Sequence, residues 1–297
     1  MPADFIADEQ LAAVLRAAAS PPGGAAPSIA ELRRAARARA ALRGPGPAMA
    51  TADAVLGGVP VRVYRPGRSA VIVYCHGGGF VLGDLDTHDP QVRRLAAATG
   101  ATVVAVGYRR APEHPWPAAV DDAVAVLAAV GGGGRGVAVA GDSAGGLIAM
   151  LAAIRVLGEV HLTAQLLVCP NTDPSLGSAS VEQKARGWLL DADVLREWVA
   201  MWLPDPALRQ SAQVSLLRTD LRQLPPAVIV TAEHDPLRDE GDAYAARLRE
   251  AGVAVVHRCE PGLVHNFPTL RDVSPACAAA EDRFLGDAAA LLRIDGD

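Results

Sequence analysis

Aromatic residues make up only 4% of this chain, cysteine occurs four times, and positive charge is not in excess. Each shortage excludes something. A formal net charge of -5 leaves no basic face to neutralise phosphates, so nucleic acid is not an expected partner and a neutral substrate is. Arg33, Arg34, Arg37, Arg39 and Arg43 do cluster, and they read as the solvated face of a helix. Cys75, Cys169, Cys259 and Cys277 show no CxxC spacing, and two of them sit in apolar strand-like runs. That pattern reads as buried free thiols rather than disulfides or metal ligands, and it fits a reducing cytoplasm. Met1-Pro2-Ala3-Asp4 lacks the basic start of a secretory signal. The longest apolar stretches, Val120 to Val130 and Leu147 to Leu157, are too short or too interrupted by charge to span a bilayer, so no stable membrane insertion is expected. There is no internal repeat.

What the chain does have is aliphatic residues. Half of its 297 positions are hydrophobic, mostly Ala, Val and Leu, which is material for a buried sheet covered by Ala-rich helices in one domain. The first fifty residues read as two helices separated by Ser20-Pro21-Pro22-Gly23-Gly24, a piece separable from the rest of the chain. Ser28 and Glu31 form a capping-box pattern before the second helix, and Gly44-Pro45-Gly46-Pro47 closes it. From Val59 onward, apolar runs (Val59 to Tyr64, Val71 to Cys75, Thr102 to Val106, Val137 to Ala140, Ala164 to Val168, Val228 to Thr231) alternate with helix-length segments. Those segments are Gln91 to Thr99, Ala118 to Val130, Ala144 to Leu157 and Glu240 to Ala251. Strands alternating with helices predict an α/β fold with a mostly parallel sheet. Asn171 to Leu224 is far longer than one crossover needs and reads as an insertion.

The chemistry concentrates at Gly141-Asp142-Ser143-Ala144-Gly145-Gly146, placed between a strand and a helix. A serine on such a sharp turn is a nucleophile candidate: Gly141 and Gly145 leave room for the turn, and the helix start offers N–H groups to a developing oxyanion. His76-Gly77-Gly78-Gly79-Phe80 follows an earlier strand and bares backbone N–H groups. His76 reads as a brace for that loop. Asp235 after one strand and His265 after the alternating run Val253 to Arg258 and a Pro261-Gly262 turn complete the order serine, acid, histidine. Glu233, Asp239 and Glu240 compete with Asp235; Glu233 lies closer to the strand, and the other two suit a helix start. The order excludes a chymotrypsin-like protease, which presents histidine, then aspartate, then serine on an all-β scaffold.

Read together, these motifs, with Tyr108-Arg109-Arg110-Ala111-Pro112-Glu113-His114-Pro115-Trp116-Pro117-Ala118 and Asp235-Pro236-Leu237-Arg238-Asp239-Glu240-Gly241, resemble the bacterial hormone-sensitive-lipase-type carboxylesterases of the α/β-hydrolase superfamily. The resemblance implies an eight-stranded, mostly parallel sheet, with residues 1–50 and an insertion at about 171–224 forming a helical cap on a catalytic domain spanning 51–297. It implies Ser143 as nucleophile, Asp235 as acid, His265 as base, and the N–H groups of Gly78, Gly79 and Ala144 as oxyanion donors. His76, Asp142 and Glu113 take supporting places. No metal or organic cofactor is implied, the substrate is a small ester of short to medium acyl length, and a homodimer is allowed. Another acyl bond (lactone, carbamate or amide) and a non-catalytic ligand-binding role remain as alternatives. The chain departs from the family at His265-Asn266-Phe267, where His-Gly-Phe is usual; glycine there implies positive φ, which Asn tolerates best. It departs also at Cys169-Pro170-Asn171-Thr172-Asp173-Pro174. Trp198, Met201 and Trp202 recur at helical spacing with Val194 and Leu195, which reads as a cap helix packing on the body.

Overall fold

Strand side chains alternate between two cores, one on each face of a single sheet. In β3 (Val71–Cys75), Val71, Val73 and Cys75 join one core while Ile72 and Tyr74 join the other. The same alternation divides β4 (Thr102–Val106) and β5 (Val137–Asp142), which is why these segments read as unbroken apolar runs. The computed structural model describes residues 2–18, 27–65, 70–132, 134 and 136–294; the Ser20 to Gly24 breaker lies outside the described residues.

The sheet has eight strands in the order β1-β2-β4-β3-β5-β6-β7-β8, with β1 (Ala50–Leu56), β2 (Val59–Arg65), β6 (Leu162–Val168), β7 (Ala227–His234) and β8 (Val255–Val264) completing it. Only β2 runs against its neighbours, so the sheet is mostly parallel as expected. One face is covered by α4 (Ala118–Gly131), α5 (Ala144–Arg155) and α8 (Arg238–Glu250), the other by α3 (Asp89–Thr99) and α9 (Pro275–Ile294).

Three elements differ from the reading of the sequence. β1 was not expected: it is exposed along almost its whole length, so it carries no apolar alternation, and only the Gly57-Gly58 turn that joins it to β2 marks a hairpin. α9 was not identified either, although Cys277, Ala280, Phe284 and Ala288 are buried in it. β8 runs straight through Pro261-Gly262, read as a turn. It is the edge strand, where a missing N–H is tolerated, and the irregularity there is closed by Gly262 donating to Glu233 (2.8 Å).

The N-terminal helices are not a separable piece. Leu11 and Leu15 of α1 (Glu9–Ala18) are buried in the core shared with α3 and α9, and Asp8 accepts from the Ser274 hydroxyl (2.6 Å) at the start of α9. α2 (Ile29–Ala40) begins with the expected capping box. Its basic cluster is not simply a solvated face: the Arg33 guanidinium reaches Val81 O, Ala111 O and both oxygens of Glu113 at 2.7–2.9 Å, and Arg37 pairs with Asp84. Between β6 and β7, α6 (Ala179–Gln183) and α7 (Ala192–Trp202) form the insertion. Trp202 stacks on Phe80 (3.9 Å), and Ser180 bonds Pro236 O and Asp239 at the body. The fully buried Glu240 accepts from Asn171 (2.9 Å) and from the backbone N–H of Thr172 (2.7 Å), fixing where the insertion leaves the sheet.

Arg33 is four-fifths buried and makes four strong contacts, whereas Arg37 is mostly exposed with one. Arg33→Ala is therefore expected to cost about 1–3 kcal/mol and Arg37→Ala less than about 1 kcal/mol, compared by chemical denaturation.

Candidate active site

The ends of β5, β7 and β8 lie along one edge of the sheet, and each hands over directly to a singular residue. After β5 the chain turns at Ser143 with φ 53 and ψ -127, a conformation that side chains rarely adopt, and enters α5 at Ala144. The turn is possible because a methyl group on Gly145 would overlap the carbonyl oxygens of Cys75 and His76, and one on Gly141 would overlap Gly145. Strand, elbow and helix are thus wedged against the end of β3.

Asp235 follows β7 and is fully buried; His265 follows β8. His265 Nε2 lies 2.9 Å from Ser143 Oγ and His265 Nδ1 lies 2.7 Å from Asp235 Oδ2. The second oxygen of Asp235 accepts from Leu237 N–H (2.8 Å), which holds the carboxylate plane. The competing acids are engaged elsewhere: Glu233 with Gly262, Asp239 with Ser180 and Glu240 with the insertion. Gly78 (φ 122) and Gly79 (φ 60) form the loop after β3. Among the described residues, the N–H groups of Gly78, Gly79 and Ala144 donate to no backbone or side-chain acceptor and are free for an oxyanion. Trp198 of α7 lies against Gly79, so the insertion helix rests on this loop.

A family model described as the alpha/beta hydrolase fold matches residues 72–269. The chain belongs to the hormone-sensitive-lipase-type α/β-hydrolases. It is 44% identical over 252 residues to carboxylesterase NlhH of Mycobacterium tuberculosis, covering 79% of this chain and 78% of that protein. It is 39% identical to an ethyl acetate hydrolase of Pseudomonas putida, covering 70% and 71%. A thermostable esterase from Pseudomonas putida superposes with a TM-score of 0.87 at 32% identity, covering 97% of this chain and 98% of that one.

In this hydrolase the supporting residues divide. His76 is buried and stacked on Tyr108 (4.2 Å), whose hydroxyl donates to His76 O (2.5 Å). Burial, with the neighbouring His88 ring, pushes its pKa down to about 3, so it is a neutral brace. Asp142 is fully buried and accepts from Tyr74 OH (2.6 Å), Gly77 N–H (2.9 Å), His88 Nε2 (3.3 Å) and Asn266 Nδ2 (2.9 Å). Burial alone would raise its pKa, but the His88 ring and the other donors outweigh that and hold it at about 2. Glu113 is not at this centre; it is exposed and pairs with Arg33 at the seam with α2.

The sequence reading missed Tyr74, His88 and the side chain of Asn266, and it did not place Cys169. All four cysteines are free, and Cys259 is exposed rather than buried. The sulfur of Cys169 comes within 4.8 Å of ligating atoms of Asp235 and His265, a grouping that has the residue types of a metal site. Burial first, and then Asp235, push that thiol well above its usual range; both ring nitrogens of His265 and both oxygens of Asp235 are already engaged, with Ser143, with each other and with Leu237.

This geometry has two measurable consequences. Gly79→Ala drives a methyl group into the Trp198 ring at positive φ and is expected to lower kcat/KM by about 100-fold or more, with partial recovery in the double variant with Trp198→Ala, measured by steady-state kinetics. His76 is neutral when folded down to about pH 3 but takes a proton below about 6.5 when unfolded. It therefore contributes stability that is present above pH 6.5 and lost as pH falls towards 3. His76→Gln should flatten the decline of Tm across that window in a pH series.

Proposed function

We propose that this enzyme hydrolyses carboxylic esters of short to medium acyl length through an acyl-enzyme on Ser143. The observation that carries the reading is the unbroken relay from Ser143 Oγ through His265 to the buried Asp235. His265 Nδ1–H donates to Asp235, which leaves Nε2 as the acceptor for the serine proton. Ser143 Oγ attacks the ester carbonyl as that proton moves to Nε2, and the imidazolium is stabilised by the Asp235 carboxylate. The carbonyl oxygen, now negative, accepts from the N–H groups of Gly78, Gly79 and Ala144, with the start of α5 adding its positive end. Collapse breaks the bond to the alcohol, which takes the proton from His265. A water then gives its proton to Nε2 and attacks the acyl group, and the second collapse releases the acid and restores Ser143.

The two N-terminal helices and residues 171–224 act as the cap over this centre; the grip of Arg33 and the contact of Trp198 with Gly79 support that division. Preference for compact acyl groups is supported by the aromatic packing of Trp198, Trp202 and Phe80 around the oxyanion loop, and by the likeness to an ethyl acetate hydrolase. Among the described residues no helix is long and apolar enough to cross a membrane, in keeping with a small ester as substrate.

The test is hydrolysis of p-nitrophenyl esters from acetate to palmitate by the wild type and Ser143→Ala. The expected outcome is turnover favouring acetate to octanoate, with kcat reduced in the variant by about four to six orders of magnitude. Binding of these esters without turnover by the wild type would overturn the reading.

A further inference from the structure

We propose that Asn266 is a positioning residue that registers the loop carrying His265 against the turn carrying Ser143. The inference rests on the proposed role of those two residues and goes beyond it. Asn266 follows His265 directly, and Asp142 precedes Ser143 directly. The bond from Asn266 Nδ2 to Asp142 Oδ2, 2.9 Å, therefore joins the immediate neighbours of base and nucleophile, whose own bond, Ser143 Oγ to His265 Nε2, is also 2.9 Å. Asp142 cannot drift to follow a loose partner, because Tyr74, Gly77 and His88 hold it from other sides. Gly77 belongs to the loop that presents Gly78 and Gly79, so the same carboxylate fixes the oxyanion donors relative to the His265 loop.

Asn266 is itself held at its backbone. Its carbonyl accepts from Thr269 Oγ1 (2.9 Å) and Thr269 N–H (3.1 Å).

The backbone does not call for an amide here. Asn266 sits at φ 52 and ψ 40, where every side chain is at a disadvantage to glycine, and its Oδ1 is buried without a partner. Glycine would carry neither penalty. What the amide supplies and glycine lacks is the donor to Asp142, and a misplacement of about 1 Å between base and nucleophile is enough to cost about 100-fold in rate.

The experiment compares the full-length wild type, Asn266→Gly and Asn266→Asp by steady-state kinetics on p-nitrophenyl acetate and butyrate and by thermal unfolding. In Asn266→Gly the lost donor to Asp142 is offset by relief at φ 52 and of the unpartnered Oδ1, so Tm should change little while kcat falls about 10- to 100-fold and KM stays within about twofold. Asn266→Asp keeps the shape but sets a second carboxyl against Asp142; at a pH of about 8, where the pair loses the proton it can share, it has no donor and repels Asp142, and it should lose at least as much kcat. A residue that merely supports the fold would move Tm and kcat together and would not split kcat from KM. Wild-type kcat in either folded variant, or a loss of kcat that tracks Tm across the pair, overturns the proposal. An inactive wild type would instead count against the ester hydrolysis on which it rests.

Discussion

A buried carboxylate is costly to charge unless donors surround it, and Asp142 is surrounded. Its two oxygens take hydrogen bonds from β3 through Tyr74, from the glycine loop through Gly77, from the start of α3 through His88, and from the His265 loop through Asn266. Tyr74, Gly77 and His88 lie within one stretch of the chain, whereas Asn266 comes from the far end of the sheet's sequence order. They meet around one negative charge, which is fully buried and shares its two oxygens among them. The arrangement of Ser143, His265 and the Gly78–Gly79 loop depends on that shared carboxylate, and the strained turn at Ser143 is held by the anchoring of its neighbour.

Backbone strain is concentrated in the same place. Phe80, Ser143, Cys169 and Asn266 all carry positive φ without being glycine, and they lie on four loops at the strand ends bordering the site. Such conformations persist only where the surroundings over-determine them. Here the surroundings are a sheet buried on both faces, which supplies rigidity well below the loops, and an insertion packed above them through Trp198 and Trp202. The four loops lie between the buried sheet and the packed insertion, and both hold them in conformations that few side chains adopt.

Much of this was legible in the sequence, for identifiable reasons. Strands buried on both faces write themselves as Val and Ala runs, so β3 to β7 were found. Gly141 and Gly145 bracket Ser143 because nothing larger fits, and Asp235 and His265 stand just beyond strands in the order the fold requires. The rest was hidden by equally physical causes. β1 faces solvent and needs no apolar pattern. β8 crosses a proline because an edge strand can spare the donor. The partners of Arg33 lie 48 to 80 positions away, and that of Asn266 lies 124 away, so no local pattern records them. Residue type gave the φ of Asn266; only the assembled fold gives its side chain a purpose.

The contact between Trp198 and Gly79 also limits how this enzyme can change. In many hydrolases a separate covering segment can be exchanged to admit a different substrate while the reacting groups stay as they were. Here the Trp198 ring of the insertion packs directly against Gly79, in the loop to which the proposal gives the oxyanion. Carving room at Trp198 for a bulkier acyl group would release that loop, and any segment grafted in its place would have to bring its own support for Gly79. Substrate range and rate are mechanically joined at one indole ring, so altering the first means rebuilding part of the machinery for the second.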